Sequence, residues 1–167
     1  CQVGLRDSQA LLQACVEAVR EADIPNGALP QMHISGCPSS CGTHQTGVIG
    51  FRGAVKRVGD QPKNAFVLFA NGEERQGDER MGREIGTMEE SVIPQFLVEL
   101  GQTVADSGMD YLNWAQKNPE GIDKVAEKYN EKFDYTDILL GGASIDATGK
   151  PLTEEALETA KSCDAVL

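Results

Sequence analysis

The chain has 167 residues, a formal net charge of −11 at pH 7, 40% hydrophobic residues and 25% charged residues. This composition is ordinary for a globular protein, and the length allows one good core or somewhat more than one domain. The acidic balance argues against nucleic-acid binding, which needs clustered Lys and Arg, and no apolar run approaches the roughly 20 residues that span a membrane. No signal peptide is visible, the first residue is Cys1 rather than Met, and five cysteines are an odd count. We therefore expect a cytoplasmic fragment or processed product without a disulfide framework.

The first third of the sequence predicts a helix and then a strand. Asp7 or Ser8 caps a helix that runs to about Asp23. One apolar stripe follows that helix and consists of Leu11, Leu12, Cys15, Val16 and Val19. Cys15 lies on this stripe, so we interpret it as a core residue and not as a ligand. Residues 31–35 form the predicted strand.

The middle of the sequence predicts further strands and one long helix. Residues 46–57 are rich in β formers and predict a strand or hairpin, and residues 64–70, NAFVLFA, predict a buried strand. Residues 73–86 are interpreted as a loop with a short strand near residues 81–85. A helix is expected from about residue 90 to residue 107, with Pro94 near its first turn. Its apolar stripe consists of Ile93, Phe96, Leu97, Leu100 and Val104.

Two shorter helices and a tail of different character follow. Asp110 caps a helix through Trp114, and Asn118 with Pro119 starts a helix that runs to about residue 132. In the tail, residues 135–140 predict a strand that ends at glycines 141 and 142, residues 153–162 a capped helix, and residues 164–167 the start of another strand. The predicted fold is α+β, a mixed or antiparallel sheet with flanking helices, followed by a truncated βαβ piece.

Two cysteines, Cys37 and Cys41, lie four positions apart between two predicted strands. Pro38 forbids a helix through the pair, and Gly36 and Gly42 permit a tight wrap of the backbone. Such a loop points two thiols and several N–H groups inward, as metal-bound thiolates require. The alternative is a surface turn with two free cysteines.

The cysteine pair lies in GCPSSCG and, with Cys1, makes a spaced set; CQVGLRDSQALLQ, FVLFANG and GREIG are further marked stretches. On these residues, the chain from Cys1 to about Tyr129 resembles the siroheme-containing nitrite and sulfite reductases. The C-terminal half of those enzymes carries C-x5-C, a helix, and a strand ending in G-C-P-x-x-C-G. The first cysteine of that pattern would lie upstream of Cys1, so we expect an incomplete chain that is inactive alone.

The resemblance implies reduction of nitrite to ammonia, or of sulfite to sulfide, at a siroheme coupled to a 4Fe–4S cluster. It implies that Cys41 bridges the two cofactors and that Cys1 and Cys37 hold other cluster irons. Residues that follow the bridge could donate hydrogen bonds to sulfur or to siroheme carboxylates, or simply lie in a surface loop; these are Thr43, His44 and Gln45. The basic residues that bind the anionic substrate lie upstream in this family, so no residue of this chain is assigned a catalytic role. For His33, a structural hydrogen bond is expected rather than ligation.

The tail, LLGGASIDATGKPLTEEALETAKSCDAVL, resembles a segment near the start of the 3-isopropylmalate dehydrogenases, and the resemblance covers about residues 121–167. We therefore divide the chain into a truncated reductase domain (1–118), a helical junction (119–134) and a truncated dehydrogenase-like segment (135–167). A native C-terminal extension is the alternative. No catalytic or nucleotide-binding residue of the dehydrogenases can be assigned, and Cys163 is interpreted as a packing residue.

A basic group of residues follows the cysteine loop in this acidic chain and consists of Arg52, Lys56, Arg57 and Lys63. It could steer an acidic electron donor such as ferredoxin, or it could be a solvated hairpin. Two other functions compete with the reductase interpretation. One is a zinc module of the Cys3His type, with ligands Cys1, Cys37, Cys41 and His44. The other is a dehydrogenase fragment based on the tail alone.

Overall fold

A computed structural model gives the structure of residues 4–58, 61–129, 138, 139 and 141–162. By internal contacts the chain divides into two compact units, Cys1–Lys132, the N-terminal unit, and Phe133–Leu167, the C-terminal unit. In the N-terminal unit, helices flank a mixed sheet, which confirms the predicted α+β class. The derivation of the two units from two families stays a prediction.

Within the described ranges, the N-terminal unit contains strands and helices and the C-terminal unit contains helices. The elements of the N-terminal unit are α1 (Ser8–Glu21), β1 (Met32–Ser35), β2 (Ile49–Val58), β3 (Gln61–Ala70), β4 (Arg83–Glu89), α2 (Ile93–Asp106), α3 (Tyr111–Lys117) and α4 (Gly121–Ala126). Those of the C-terminal unit are α5 (Gly141–Thr148) and α6 (Glu154–Ser162). None of the helices in these ranges combines the length and the apolar character needed to cross a bilayer.

The strands of the sheet follow one another in the order β1-β2-β3-β4. β1 pairs with β2 in parallel, whereas β2 with β3 and β3 with β4 pair antiparallel. Residues 36–48, which join β1 to β2, carry Cys37 and Cys41 and are called the cysteine loop below. Both cysteines therefore lie in the connection between the two parallel strands of the sheet.

One face of the sheet forms the core with α1 and α2. Ile49 and Phe51 on β2 pair with Ala70 and Leu68 on β3, and all four side chains are fully buried. The predicted stripe of α2 is buried as well, and its members are Ile93, Phe96, Leu97, Leu100 and Val104. α1 packs against α2, so both helices cover the same apolar face.

Helix α1 begins where the sequence predicts and buries a narrower stripe than predicted. The Asp7 carboxylate accepts hydrogen bonds from amide N–H groups of the first turn, as an N-cap does. Leu11 and Cys15 are buried, which confirms Cys15 as a core residue. Leu12 is 45% exposed, so its prediction as a core residue is wrong. Positions four apart share a helix face, and Leu12 is turned away from the line through Leu11 and Cys15.

The role of Asn118 differs from the prediction. Its side-chain amide donates to the carbonyl oxygen of Trp114 at 2.9 Å, so it closes α3 instead of starting the next helix. α4 begins only at Gly121 and ends at Ala126, short of the predicted end near residue 132. Proline at position 119 disfavours helical backbone at the preceding residue, which explains the break.

The tail was predicted less well than the core. Most of the predicted strand over residues 135–140, and all of the one over residues 164–167, lie outside the described residues. Gly141 and Gly142 belong to α5 and do not end a strand, because the following residues include good helix formers such as Ala143. The predicted cap of the last helix is confirmed, since the Thr153 hydroxyl accepts from the amide of Ala156 at 3.1 Å.

Candidate functional site

The cysteine loop folds as three successive turns. The amides of Ser40, Thr43 and Thr46 donate to the carbonyl oxygens three residues earlier, at 3.4, 2.9 and 3.1 Å. Ser40 and Thr43 adopt positive φ values of 60° and 49°. The left-handed positions of the wrap therefore fall on a serine and a threonine, and not on the flanking glycines as predicted.

The glycines of the loop are required by close approach of the backbone. A Cβ at Gly36 would overlap the carbonyl oxygen of Arg6, and one at Gly42 would overlap the carbonyl oxygen of Ile34. The Arg6 amide also donates to the Gly36 carbonyl at 2.8 Å, and the Arg6 guanidinium donates to the Ala54 carbonyl at the same distance. The loop is thus pressed onto β1 and onto the segment that precedes α1.

The two thiols of the loop have different surroundings. Cys41 is exposed, whereas Cys37 is half-buried, and both are free. The hydroxyl and the amide of Ser39 donate to the Cys37 sulfur and lower the pKa of that thiol. The thiolate is the form that binds metal, and these two donors favour it at Cys37.

A buried hydrogen-bonded group lies beneath the Cys41 end of the loop. The Ser35 hydroxyl accepts from the Gly42 amide at 3.1 Å and shares a hydrogen bond of 2.9 Å with Nδ1 of His44. His44 is only 2% exposed and its ring lies 5.1 Å from that of Phe69. Burial, and then the charge of Arg52, lower the pKa of His44. Burial therefore favours the neutral form of His44, and its Nδ1 is engaged by the Ser35 hydroxyl.

The remaining predicted site residues are bonded within the loop or to its neighbours. The Thr43 hydroxyl and Nδ1 of His33 share a hydrogen bond of 2.8 Å, and Nε2 of His33 lies 3.8 Å from the Glu74 carboxylate. The Ser40 hydroxyl donates to the side-chain oxygen of Gln45. Thr43 is exposed and Gln45 half-buried. His33 thus makes the structural hydrogen bond that the sequence predicts.

The loop alone does not complete a metal site. In the part of the chain that the structure describes, no three His, Cys, Asp or Glu side chains are gathered closely enough to hold a metal ion. Cys37, Cys41 and His44 are therefore not such a set, and the predicted ligand Cys1 lies outside the described residues. Two thiols fit half of the four cysteine ligands that a 4Fe–4S cluster takes.

Sequence reasoning missed Ser35 and Arg6, which hold the two ends of the loop. Neither carries a motif, and each acts on residues that are brought near only by the turns and the sheet. The one available signal at Ser35 was its position: it is a polar residue that ends a short strand directly before a glycine.

The fold of the chain has a counterpart among solved structures. No protein-family model matches the sequence. The chain is similar to the NirA protein of Mycobacterium tuberculosis with a TM-score of 0.52 and 23% sequence identity, over 59% of this chain and 19% of NirA. At this identity the likeness concerns the fold alone.

A separate set of relatives matches short stretches. The 3-isopropylmalate dehydrogenase of Wickerhamomyces anomalus is 50% identical over 60 residues, which are 36% of this chain and 16% of the enzyme. The Saccharomyces cerevisiae enzyme is 63% identical over 38 residues, 23% of this chain and 10% of the enzyme. The Aquifex aeolicus enzyme is 48% identical over 46 residues, 28% of this chain and 13% of the enzyme. The chain thus spans a small fraction of each of these relatives.

Proposed function

We propose that the N-terminal unit is the part of a siroheme nitrite or sulfite reductase that carries the second pair of cluster cysteines. The observation that supports this most directly is a loop with two accessible thiols between parallel strands, in a fold similar to part of NirA. The loop offers donors next to sulfur, since Ser39 already hydrogen-bonds to Cys37. Donors of this kind tune the potential of thiolate-bound iron.

In this proposal Cys1, Cys37 and Cys41 would hold the cluster, and Cys41 would also hold the siroheme. The bound cofactors supply electron storage and transfer, and the substrate is a small anion, nitrite or sulfite. The residues of this chain hold the thiols in position and donate hydrogen bonds. Thr43 and Gln45 are the better candidates for contacts with a cofactor, because His44 is buried and its Nδ1 is bonded to Ser35.

The proposal predicts that the chain alone does not reduce nitrite or sulfite with dithionite and methyl viologen. Its described residues supply two of the four thiols of a cluster, and the chain spans 19% of NirA. Turnover above that of free siroheme would contradict this prediction.

A domain replacement tests the assignment of the cysteines. Residues 1–129 would replace the matching segment of a complete siroheme reductase, and the chimera would be assayed for iron, siroheme absorption and the EPR signal of the reduced cluster. Cys41→Ser should disturb both cofactors, because a hydroxyl is a far poorer iron ligand than a thiolate. Cys37→Ser should damage the cluster first, and Cys15→Ser, in the core, should leave both. Retention of both cofactors in Cys41→Ser would overturn the bridging assignment.

An acidic electron donor such as ferredoxin is the proposed partner, and the structure narrows the residues that could meet it. Lys56 is 5% exposed, and Arg52 lies over the Phe69 ring and 3.9 Å from the Glu84 carboxylate. Arg57 and Lys63 are exposed on the β2–β3 hairpin. The docking proposal therefore rests on these two side chains.

In the chimera, Arg57→Glu with Lys63→Glu should slow reduction by ferredoxin and flatten its salt dependence, because steering by charge is screened by salt. Arg75→Glu is a control for a single charge reversal elsewhere, since Arg75 is exposed but already lies near the carboxylates of Glu73 and Asp78. Equal rates for the double variant and the control at low salt would reject the docking role.

For the C-terminal unit we propose descent from the early part of a 3-isopropylmalate dehydrogenase, joined to the reductase piece. Identities of 48–63% to these dehydrogenases support this origin, and the matched stretches of 38–60 residues are each longer than the 35 residues of the C-terminal unit. The unit would have no activity of its own.

Metal analysis separates the zinc alternative for the cysteine loop. Stoichiometric zinc in the purified chain would favour this alternative, although Cys37, Cys41 and His44 are not gathered as a set of ligands.

A further inference from the structure

The Ser35 hydroxyl is a junction between β1 and the Cys41 end of the cysteine loop. Ser35 is the last residue of β1 and is 3% exposed. Its oxygen accepts from the amide of Gly42, the residue directly after Cys41, at 3.1 Å. The same hydroxyl shares a hydrogen bond of 2.9 Å with Nδ1 of His44. The buried Ser35 side chain therefore holds Gly42 and His44, two residues that closely follow Cys41 in the chain.

His44 connects the Ser35 hydroxyl to the sheet. Its ring packs at 5.1 Å from that of Phe69 on β3. Its carbonyl oxygen lies so close to Gly50 on β2 that a Cβ at position 50 would overlap it. Phe69 and Gly50 are paired residues of the two strands. The imidazole and the backbone of His44 are thus both held by the same point of the sheet.

The Cys37 end of the loop is held by different groups. The Arg6 amide donates to the Gly36 carbonyl at 2.8 Å, and the backbone of Arg6 fills the space beside Gly36. The hydrogen bonds of the Ser35 hydroxyl, in contrast, go to Gly42 and His44 at the other end. Loss of this hydroxyl should therefore affect the two thiols unequally.

We propose that Ser35 is a positioning residue that fixes the backbone around Cys41, with His44 as its base, and does not fix Cys37. The importance of Cys41 as a cofactor ligand rests on the proposed function. The positioning itself concerns this chain without cofactors and can be tested separately.

The test is amide hydrogen exchange, measured by NMR on the full chain for the wild type and Ser35→Ala. The Thr43 amide closes the turn that contains Cys41, by donating to Ser40, and the Arg6 amide reports on the Cys37 end. A hydrogen bond contributes about 1 kcal/mol, so exchange at Thr43 should accelerate about fivefold in Ser35→Ala while exchange at Arg6 stays within about twofold. Equal acceleration of both amides, or of neither, would overturn the proposal.

A matched pair of variants separates the hydroxyl from the shape of the side chain. Ser35→Thr and Ser35→Val have nearly the same volume and differ in the hydroxyl. Thr43 should exchange more slowly in the Thr variant than in the Val variant, and Arg6 should not distinguish them. Ser107→Ala removes the hydroxyl of an exposed serine that donates to the Val104 carbonyl, far from the loop in sequence, and should change neither amide. Identical Thr43 exchange in the Thr and Val variants would show that the hydroxyl does not position the loop.

Discussion

The imidazole of His44 is buried against Phe69 and lies near Arg52, and burial followed by this charge lowers its pKa below the usual 6.5. In the unfolded chain the group regains that usual value. Between the two pKa values the unfolded state binds more protons at this group, so the contribution of His44 to folding stability falls as the pH drops below about 6.5. We predict that the free energy of unfolding, measured by urea denaturation, falls more between pH 7.5 and 5.5 in the wild type than in His44→Asn.

The other histidine is the control for this prediction. His33 is half-buried and shares its hydrogen bond with the exposed Thr43. His33→Asn leaves His44 in place, so the fall in stability between pH 7.5 and 5.5 should persist in this variant. If His44→Asn retained the same slope as the wild type, the acid sensitivity would have another origin.

At the scale of single residues, the sequence pointed to the cysteine loop but not to the groups that support it. Cys37, Cys41 and Pro38 stand together in the chain, so their loop could be recognised directly. Ser35 acts on residues seven and nine positions further along, and only the turns of the loop bring them together. The positive φ values of Ser40 and Thr43 were equally hidden, because glycines stood nearby for a different reason, the close approach of neighbouring backbone.

Among the elements, α4 belongs to the N-terminal unit by its packing. Ile122, Val125 and Ala126 are part of its core. Two polar contacts add to this attachment: Arg83 donates to both carboxylate oxygens of Asp123 at 2.9 and 2.7 Å, and the Tyr129 hydroxyl donates to Glu99 at 2.7 Å. The segment GIDKVAEKY therefore packs as part of this unit, whichever family supplied it.

This packing predicts the effect of shortening two side chains. Ile122 is 3% exposed, so Ile122→Ala should lower the free energy of unfolding by about 2–5 kcal/mol through lost burial and a cavity. Leu112 on α3 is 64% exposed, and Leu112→Ala should cost less than about 0.5 kcal/mol. Chemical denaturation of both variants measures the difference. Similar costs would mean that α4 is not part of the cooperative core.

Elements with a strong apolar pattern were predicted well, and those that depend on caps or on weak patterns were not. All five apolar residues predicted for one face of α2 are buried, because burial of five side chains outweighs the local conformational preferences of single residues. Asn118 could cap either of two neighbouring helices, and its side chain bonds to the one before it. In α5 the two glycines suggested the end of a strand, but no apolar pattern was present to decide between strand and helix.

For the whole molecule, the two units differ in how much apolar surface they bury. The described part of the C-terminal unit leaves several large apolar side chains exposed, namely Leu139, Ile145, Leu152 and Leu157. Few buried contacts mean a small free energy of local opening. We predict that amides of α5 and α6 exchange at least about tenfold faster than those of β3 and α2, as measured by hydrogen exchange and mass spectrometry.

Exchange in α1 provides a reference for this comparison, because α1 is a helix whose buried face includes Leu11 and Cys15. Its central amides should resemble those of α2 rather than those of α5. Equal protection of α5, α6 and α2 would show that the C-terminal unit is as stable as the N-terminal one.

The parallel pairing of β1 with β2 has a consequence for the length of the cysteine loop. Two parallel neighbours cannot be joined by a tight hairpin, because the chain must travel back along the full strand before it can run forward again. Residues 36–48 are this return path, and they make it without a helix. Four residues of strand span about 13 Å, whereas 13 extended residues could cover about 45 Å, so the loop is longer than the return requires and the surplus is wound into its three turns. The parallel pairing therefore sets a minimum length for the loop, and the residues beyond that minimum form the turns that carry the two thiols.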